Sequence, residues 1–276
     1  MPSLIRTEEV EMNIGFIGCG NMASAIIKGV VESGAVQGED ICAYDPAESA
    51  INSISGKYGI KKCENANEVV EYSDFVVLAV KPNMLTSVIN EINIRLGESP
   101  KVLISIAAGK TLEFIRDKLS HDNKIVRVMP NINAKVGSAC SAYCVNEEVT
   151  EAEKKEIEKI FGSVGEIMEL PESSFPLFGV IAGSAPAFAY MFIDALARAG
   201  VKNGMKKETA LKIAAQTVMG SAKMILESGT HPFELIDQVC SPGGTTIEGI
   251  TSLQADGFEA SVHNAVNKTL EKDSKL

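Results

Sequence analysis

Apolar positions in the first half of the chain fall in short runs separated by helical stretches. The run Asn13–Ile17 leads into a glycine turn, and Met22–Ser33 then repeats apolar residues at helical spacing up to Gly34. Ile41–Tyr44, Phe75–Val80, Lys101–Ile106 and Lys124–Val128 share that length and apolar character, as strands buried on both faces of a sheet do. Strand runs alternating with helical ones predict a parallel α/β sheet. Beyond about Leu170 the strand pattern stops. Alanine-rich helical stretches follow at Ala185–Ala199, Lys207–Ser228, Thr245–Ala255 and Phe258–Lys272, with Gly200, Gly229 and Gly257 just past three of the expected ends, where a left-handed cap is wanted. The pattern divides the chain into a polar, disordered extension (residues 1–11) ahead of a second methionine, Met12, an α/β domain (residues 12–170) and an all-helical domain (residues 171–276). Within Lys207–Ser228, residues Ala210, Ile213, Ala214, Thr217, Val218, Ser221 and Ile225 make a face on which a second helix can lie closely. An internal core and a dimer interface account for it equally.

Composition narrows the function classes. A chain of 276 residues with 45% hydrophobic and 22% charged residues has the material for two packed domains. Its formal net charge of -10 disfavours nucleic acid as a partner, since binding the phosphate backbone needs concentrated Lys and Arg. Uninterrupted apolar runs such as Phe75–Val80 fall far short of the ~20 residues that span a bilayer, and Met1–Glu11 carries acids where a signal peptide needs an apolar stretch, so no membrane association is expected. Six cysteines without a Cys-x-x-Cys pair read as reduced thiols of a cytoplasmic protein. His121, His231 and His263 lack metal-ligand spacing, and no metal site is expected.

The glycine turn carries the first chemistry. Gly18-Cys19-Gly20-Asn21-Met22-Ala23 follows a strand and opens a helix, the setting in which such a turn binds a dinucleotide. Gly18 allows the tight turn, Gly20 lets a diphosphate approach the backbone, Ala23 permits close contact between helix and strand, and the helix N-terminus offers N–H groups and a positive dipole end. Residues 12–170 therefore read as a Rossmann NAD(P)-binding domain. Asp45, 25 residues beyond Gly20, stands where an acid bonds the adenosine ribose and repels a 2′-phosphate, which leans the cofactor to NADH over NADPH. A strand-ending Asp-Pro turn explains Asp45 as well. Ala79-Val80-Lys81-Pro82 and Ala107-Ala108-Gly109 leave two further strands where ligands gather in open parallel sheets.

At this point the chain resembles the pyrroline-5-carboxylate reductase family. The matching segments are Gly15–Ala23, Ala79–Pro82, Arg127-Val128-Met129-Pro130-Asn131, Gly183-Ser184-Ala185-Pro186-Ala187 and Ser241-Pro242-Gly243-Gly244-Thr245-Thr246. The resemblance implies a Rossmann domain followed by an all-α dimerisation domain, an interlocked homodimer with room for a higher oligomer, and hydride transfer from NADPH or NADH to 1-pyrroline-5-carboxylate, giving proline. It makes Thr246 the hydroxyl that hydrogen-bonds the ring nitrogen; for the substrate carboxylate, Gly243 and Gly244 let backbone N–H groups converge, and Thr245 and Thr246 open a helix whose dipole favours the anion. Glu172, Gln238 and Val239 are carried over as substrate-side residues. Alone, Ser241–Thr246 reads as a turn and helix cap; the resemblance reverses that order. Lys81 is read as a cofactor-side or structural residue. Two departures stand out: Ala185 replaces a family glycine, and Phe175-Pro176-Leu177-Phe178-Gly179 replaces a more polar stretch. Both make the pocket wall more apolar. The alternatives kept open are reduction of a related cyclic imine and NAD(P) sensing without catalysis.

Overall fold

A computed structural model describes residues 12–275; the expected extension at residues 1–11 lies outside them. The first unit alternates strand and helix: β1 (Ile14–Ile17), α1 (Asn21–Glu32), β2 (Ile41–Tyr44), α2 (Glu48–Tyr58), β3 (Lys61–Lys62), α3 (Ala66–Tyr72), β4 (Phe75–Leu78), α4 (Leu85–Glu98), β5 (Val102–Ser105), α5 (Leu112–Arg116) and β6 (Lys124–Met129). It continues through β7 (Ala139–Val145), α6 (Glu151–Gly162), β8 (Gly165–Glu169) and the short α7 (Phe175–Phe178). Strand order in the sheet is β3-β2-β1-β4-β5-β6-β7-β8. Its first six strands run in the order of the doubly wound dinucleotide fold.

Every neighbouring pair is parallel except β6 and β7, which are antiparallel. The core strands β1, β4 and β5 are buried along their whole length because helices cover both faces. Helices α1, α2 and α6 supply Ile26, Ile27, Ile54, Ile157 and Phe161 to one face, while α3 and α4 supply Val69, Leu85, Ile89 and Ile92 to the other. The expected parallel sheet is present, with three strands added. β3 has two lysines, β7 is built from small and polar residues, and β8 is largely exposed, so none carries an apolar run.

The first compact unit runs to Gly183 and the second starts at Ser184, later than the expected boundary at 170/171. The side chains explain the shift. Phe175 is fully buried among Ala142, Cys144, Met129 and Leu112, so the apolar departure noted in the sequence is a plug in the first unit's own core.

The second unit holds α8 (Ala185–Lys202), α9 (Lys207–Ser228), α10 (Pro232–Val239), α11 (Thr245–Ala255) and α12 (Phe258–Asp273). Gly229 and Gly257 take the left-handed conformation expected at helix ends. Gly200 does not end its helix: α8 runs on to Lys202, and Gly204, with φ +95°, makes the turn. A Cβ on Gly200 would come to 3.3 Å from the Ala210 side chain, so glycine is there to let α8 and α9 approach. The small-residue face supplies that contact through Ala210 and Ala214 against Ala197 and Ile193. Helices α10, α11 and α12 bury no residue, while Tyr190, Met191, Met219, Leu226, Phe233 and Val239 stand exposed. One helical run, Glu172–Lys202, is long and apolar enough to cross a membrane by length and composition. The rule of uninterrupted apolar residues missed it, because Ser, Gly and Pro interrupt the run.

Candidate active site

The glycine turn is shaped by close approaches on one side and open space on the other. Gly18 has φ +100°, its N–H donates to the Tyr44 carbonyl at 2.8 Å, and a Cβ there would lie 2.7 Å from the Ala79 carbonyl oxygen. Glycine is thus required where β1, β2 and β4 converge. A Cβ on Gly20 would meet nothing within 4 Å. That open side is where a diphosphate must reach the backbone, and no side chain caps the N-terminus of α1 above it. Asn21 is exposed and Met22 half-buried beside this opening, while Ala23 is buried in the core under the helix, the close contact expected of the third position. The geometry fits a dinucleotide phosphate.

Asp45 and Cys19 fix the turn. Oδ2 of Asp45 accepts the Cys19 N–H at 2.7 Å, and Oδ1 accepts the Ala47 N–H at 2.8 Å. Asp45 therefore ties the β1 turn to the β2 exit and makes the strand-ending turn, while each of its oxygens keeps a further acceptor site. Cys19 turns its side chain into the core, where burial and then the Asp45 charge push its thiol up to about 12. It offers a ligand neither its N–H nor a thiolate.

The other strand exits lie on the same edge of the sheet. The Ala79 N–H donates to Ile17, Val80 is half-buried, and Lys81 and Pro82 are exposed, with the Lys81 carbonyl closing a turn onto Met84. Ala107 is buried, and Ala108 and Gly109 are exposed, Gly109 with φ +72°. β6 adds an exit that the candidate cofactor residues omitted, Pro130-Asn131. Asn131 is 6% exposed, its Nδ2 donates to the Ala182 carbonyl at 2.8 Å, and its Oδ1 accepts the Cys140 N–H. The signal was present in the sequence as Met-Pro-Asn, without a role attached.

Glu172 belongs to the first unit. Its Oε1 accepts from Arg127 Nη1 and from the Leu112 N–H, both at 2.9 Å. The Arg127 side chain is 8% exposed, and its guanidinium lies 4.4 Å from the centre of the Phe175 ring. A buried cation needs such a partner, and the carboxylate also closes the N-terminal turn of α5. These bonds engage Oε1 of Glu172, whose 29% exposed side chain also lines a surface pocket with Leu112 and Arg116.

In the second unit, Ser241–Thr246 forms a tight turn with Gly243 at φ +66° and a bond from the Gly244 N–H to the Ser241 carbonyl at 2.9 Å. A Cβ on Gly244 would displace the Ser241 hydroxyl and come within 3.1 Å of the Ser241 carbonyl oxygen. Gly244 caps α11 without a side-chain bond, which leaves the first-turn N–H groups without a side-chain cap beside the exposed Thr245 and Thr246. Helix dipole and free amides suit an anion here, with a hydroxyl next to it. Thr246 lines a cavity of about 460 Å³ with Gln238, Val239 and Cys240, and Met224, Ile225, Leu235, Ile236 and Ile250 make its apolar wall. The structure thus brings Gln238, Val239 and Thr246 to one cavity. It also reveals α10, whose eight residues were too short a helical signal to be singled out.

The family comparisons divide the chain near the boundary expected from sequence, ahead of the Gly183/Ser184 division. Residues 13–109 match the family described as NADP oxidoreductase coenzyme F420-dependent, and residues 172–276 match the family described as pyrroline-5-carboxylate reductase dimerisation. The pyrroline-5-carboxylate reductase of Escherichia coli (strain K12) is 43% identical over 268 residues, covering 97% of this chain and 99% of the relative. Among solved structures, the pyrroline-5-carboxylate reductase of Coxiella burnetii has a TM-score of 0.92 at 31% identity, covering 96% of this chain and 98% of that one. The Plasmodium falciparum pyrroline carboxylate reductase, solved with NADP bound, has a TM-score of 0.82 at 34% identity, covering 95% and 97%. With one relation running almost end to end over both units, the chain belongs to the pyrroline-5-carboxylate reductase family.

Proposed function

We propose that this chain reduces 1-pyrroline-5-carboxylate to proline with NADPH or NADH. The observation that carries the reading is the 43% identity to the Escherichia coli enzyme across 97% of the chain. Residues Gly18, Gly20, Asn21, Met22 and Ala23 would hold the diphosphate, with Ala79–Pro82 and Ala107–Gly109 along the same edge. When bound, the reduced nicotinamide supplies the hydride. It adds to the C=N carbon, the nitrogen takes up one proton, and NAD(P)+ is left.

The chain's part is to bind and orient the imine. The Gly244 and Thr245 backbone at the start of α11 suits the carboxylate, and the Thr246 hydroxyl suits the ring nitrogen, favouring its protonated, more electrophilic form. Gln238 and Val239 flank the ring. Asp45 bonds the turn through both oxygens, an arrangement that does not by itself select between the cofactors, so the reading keeps NADPH and NADH both.

The same reading includes an interlocked homodimer. Three helices of the second unit bury nothing, and a large exposed apolar surface on a soluble enzyme needs covering. The helical domains of two chains, each completing the other's core, cover it and also occupy the apolar run Glu172–Lys202 without a membrane. The six cysteines are unpaired, in keeping with a reduced cytoplasmic setting.

The test follows NADPH and NADH oxidation with 1-pyrroline-5-carboxylate and with its six-membered homologue. Turnover of the five-membered imine is expected. The apolar wall beside Thr246 favours some turnover of the larger ring as well. Absence of oxidation with every combination refutes a reductase and leaves the nucleotide-sensing alternative.

A further inference from the structure

We infer that Asn131 is a positioning residue for hydride transfer, acting by holding the carbonyl that Pro186 leaves without a helical donor. In an α-helix the carbonyl of residue 182 accepts from the N–H of residue 186, and that residue is proline. Around this point the backbone widens into a π-helical turn, Gly179–Ser184, directly ahead of α8 with Pro186 in its first turn. Wide turns of this kind are held only where something outside the helix satisfies the freed groups, and they cluster at functional sites. Here the Asn131 side-chain amide does so, at 2.8 Å to Ala182 and almost fully buried, while Cys140 fixes the other end of the amide.

The placement of Asn131 gives this bond a catalytic meaning. It directly follows β6, on the edge of the sheet where β1, β4 and β5 deliver the turns assigned to the dinucleotide. In a doubly wound sheet of this order, the strands beyond the reversal between β1 and β4 carry the second mononucleotide half, the nicotinamide end. Asn131 thus anchors the wide turn to the edge along which the hydride donor lies. Met129, at the end of β6, packs on the same turn, its sulfur 3.3 Å from where a Cβ on Gly179 would sit. A shift of the turn is felt where the hydride moves, and hydride transfer is steep in distance.

The inference rests on the reductase reading, and the experiment separates the two. Wild type is first assayed with 1-pyrroline-5-carboxylate and NADPH; no turnover counts against the reductase reading. Given turnover, Asn131→Ala is expected to lower kcat roughly tenfold or more. It is also expected to raise the primary isotope effect measured with cofactor deuterated at the transferred position, with little change in KM for the cofactor. Adding Pro186→Ala restores a backbone N–H at residue 186, able to bond Ala182, and most of the lost rate is expected to return. If Asn131→Ala fails to fold, the double variant still decides, since both fold and rate should return with it. An unchanged isotope effect with only a lower Tm, or no recovery in the double variant, overturns the inference.

Discussion

The Cys19 amide donates to Asp45 across 2.7 Å, joining the phosphate turn after β1 to the exit of β2. The same carboxylate accepts from Ala47, so one side chain holds two loops in place. Asp45→Ala is expected to lower stability by about 2 kcal/mol, the scale of hydrogen bonds to a charged acceptor, and to weaken NADH and NADPH alike. Thermal unfolding and KM for both cofactors check it; a selective gain for NADPH would return Asp45 to the ribose.

Replacing Thr246 with Ala removes the hydroxyl beside the cavity while leaving the α/β unit untouched. A fall in kcat of about 100-fold is expected, with cofactor binding intact and much of the rate kept by Thr246→Ser. Steady-state kinetics with the five-membered imine measures it, and an unchanged kcat would remove Thr246 from the chemistry.

Glu172→Ala leaves the buried Arg127 guanidinium without its carboxylate. The expected cost is about 3 kcal/mol, less whatever solvent screening the part-exposed Glu172 already has. KM for the imine should stay near its wild-type value. A stable variant with a raised KM would instead support the substrate contact.

The Cys19 thiol, held up to about 12 by burial and then by Asp45, is neutral at physiological pH. Its folded value lies above the ordinary thiol value of 9.0, so its contribution to stability is present below pH 9 and is lost as pH rises from there toward 12. Native protein at pH 8 should leave Cys19 unlabelled by iodoacetamide, as peptide mapping would show, and denaturant midpoints should fall above pH 9. Rapid labelling of the native thiol would contradict its burial.

Helices with no buried residue have no stability of their own to offer, so folding of the second unit is expected to be coupled to association. The Tm should then rise with protein concentration, and sedimentation should show a dimer or larger at micromolar concentration. A stable monomer whose Tm ignores concentration would dispose of the interlocked reading.

What the sequence determined by itself is what local chemistry dictates. Apolar runs bounded by turns specify β1, β2, β4, β5 and β6, Gly18 and Gly20 specify a turn that only a ligand's approach makes useful, and Gly229 and Gly257 specify helix ends. The family motifs added the Ser241–Thr246 loop, whose turn-and-cap geometry is local too. Long-range partners decided the rest. The partners of Asp45 and Glu172 are invisible in sequence, because they are amides at Cys19 and Leu112 and the guanidinium of Arg127. Phe175 packs in the first unit because a phenylalanine joins whichever core has room for it. Gly200 proved to be a contact with Ala210 and not a cap. Met-Pro-Asn was legible as a motif, yet its use is legible only in the fold, where Asn131 meets the carbonyl of a residue 51 positions away. Local propensity is written in the order of the residues; which polar atom satisfies which is settled only when distant segments meet.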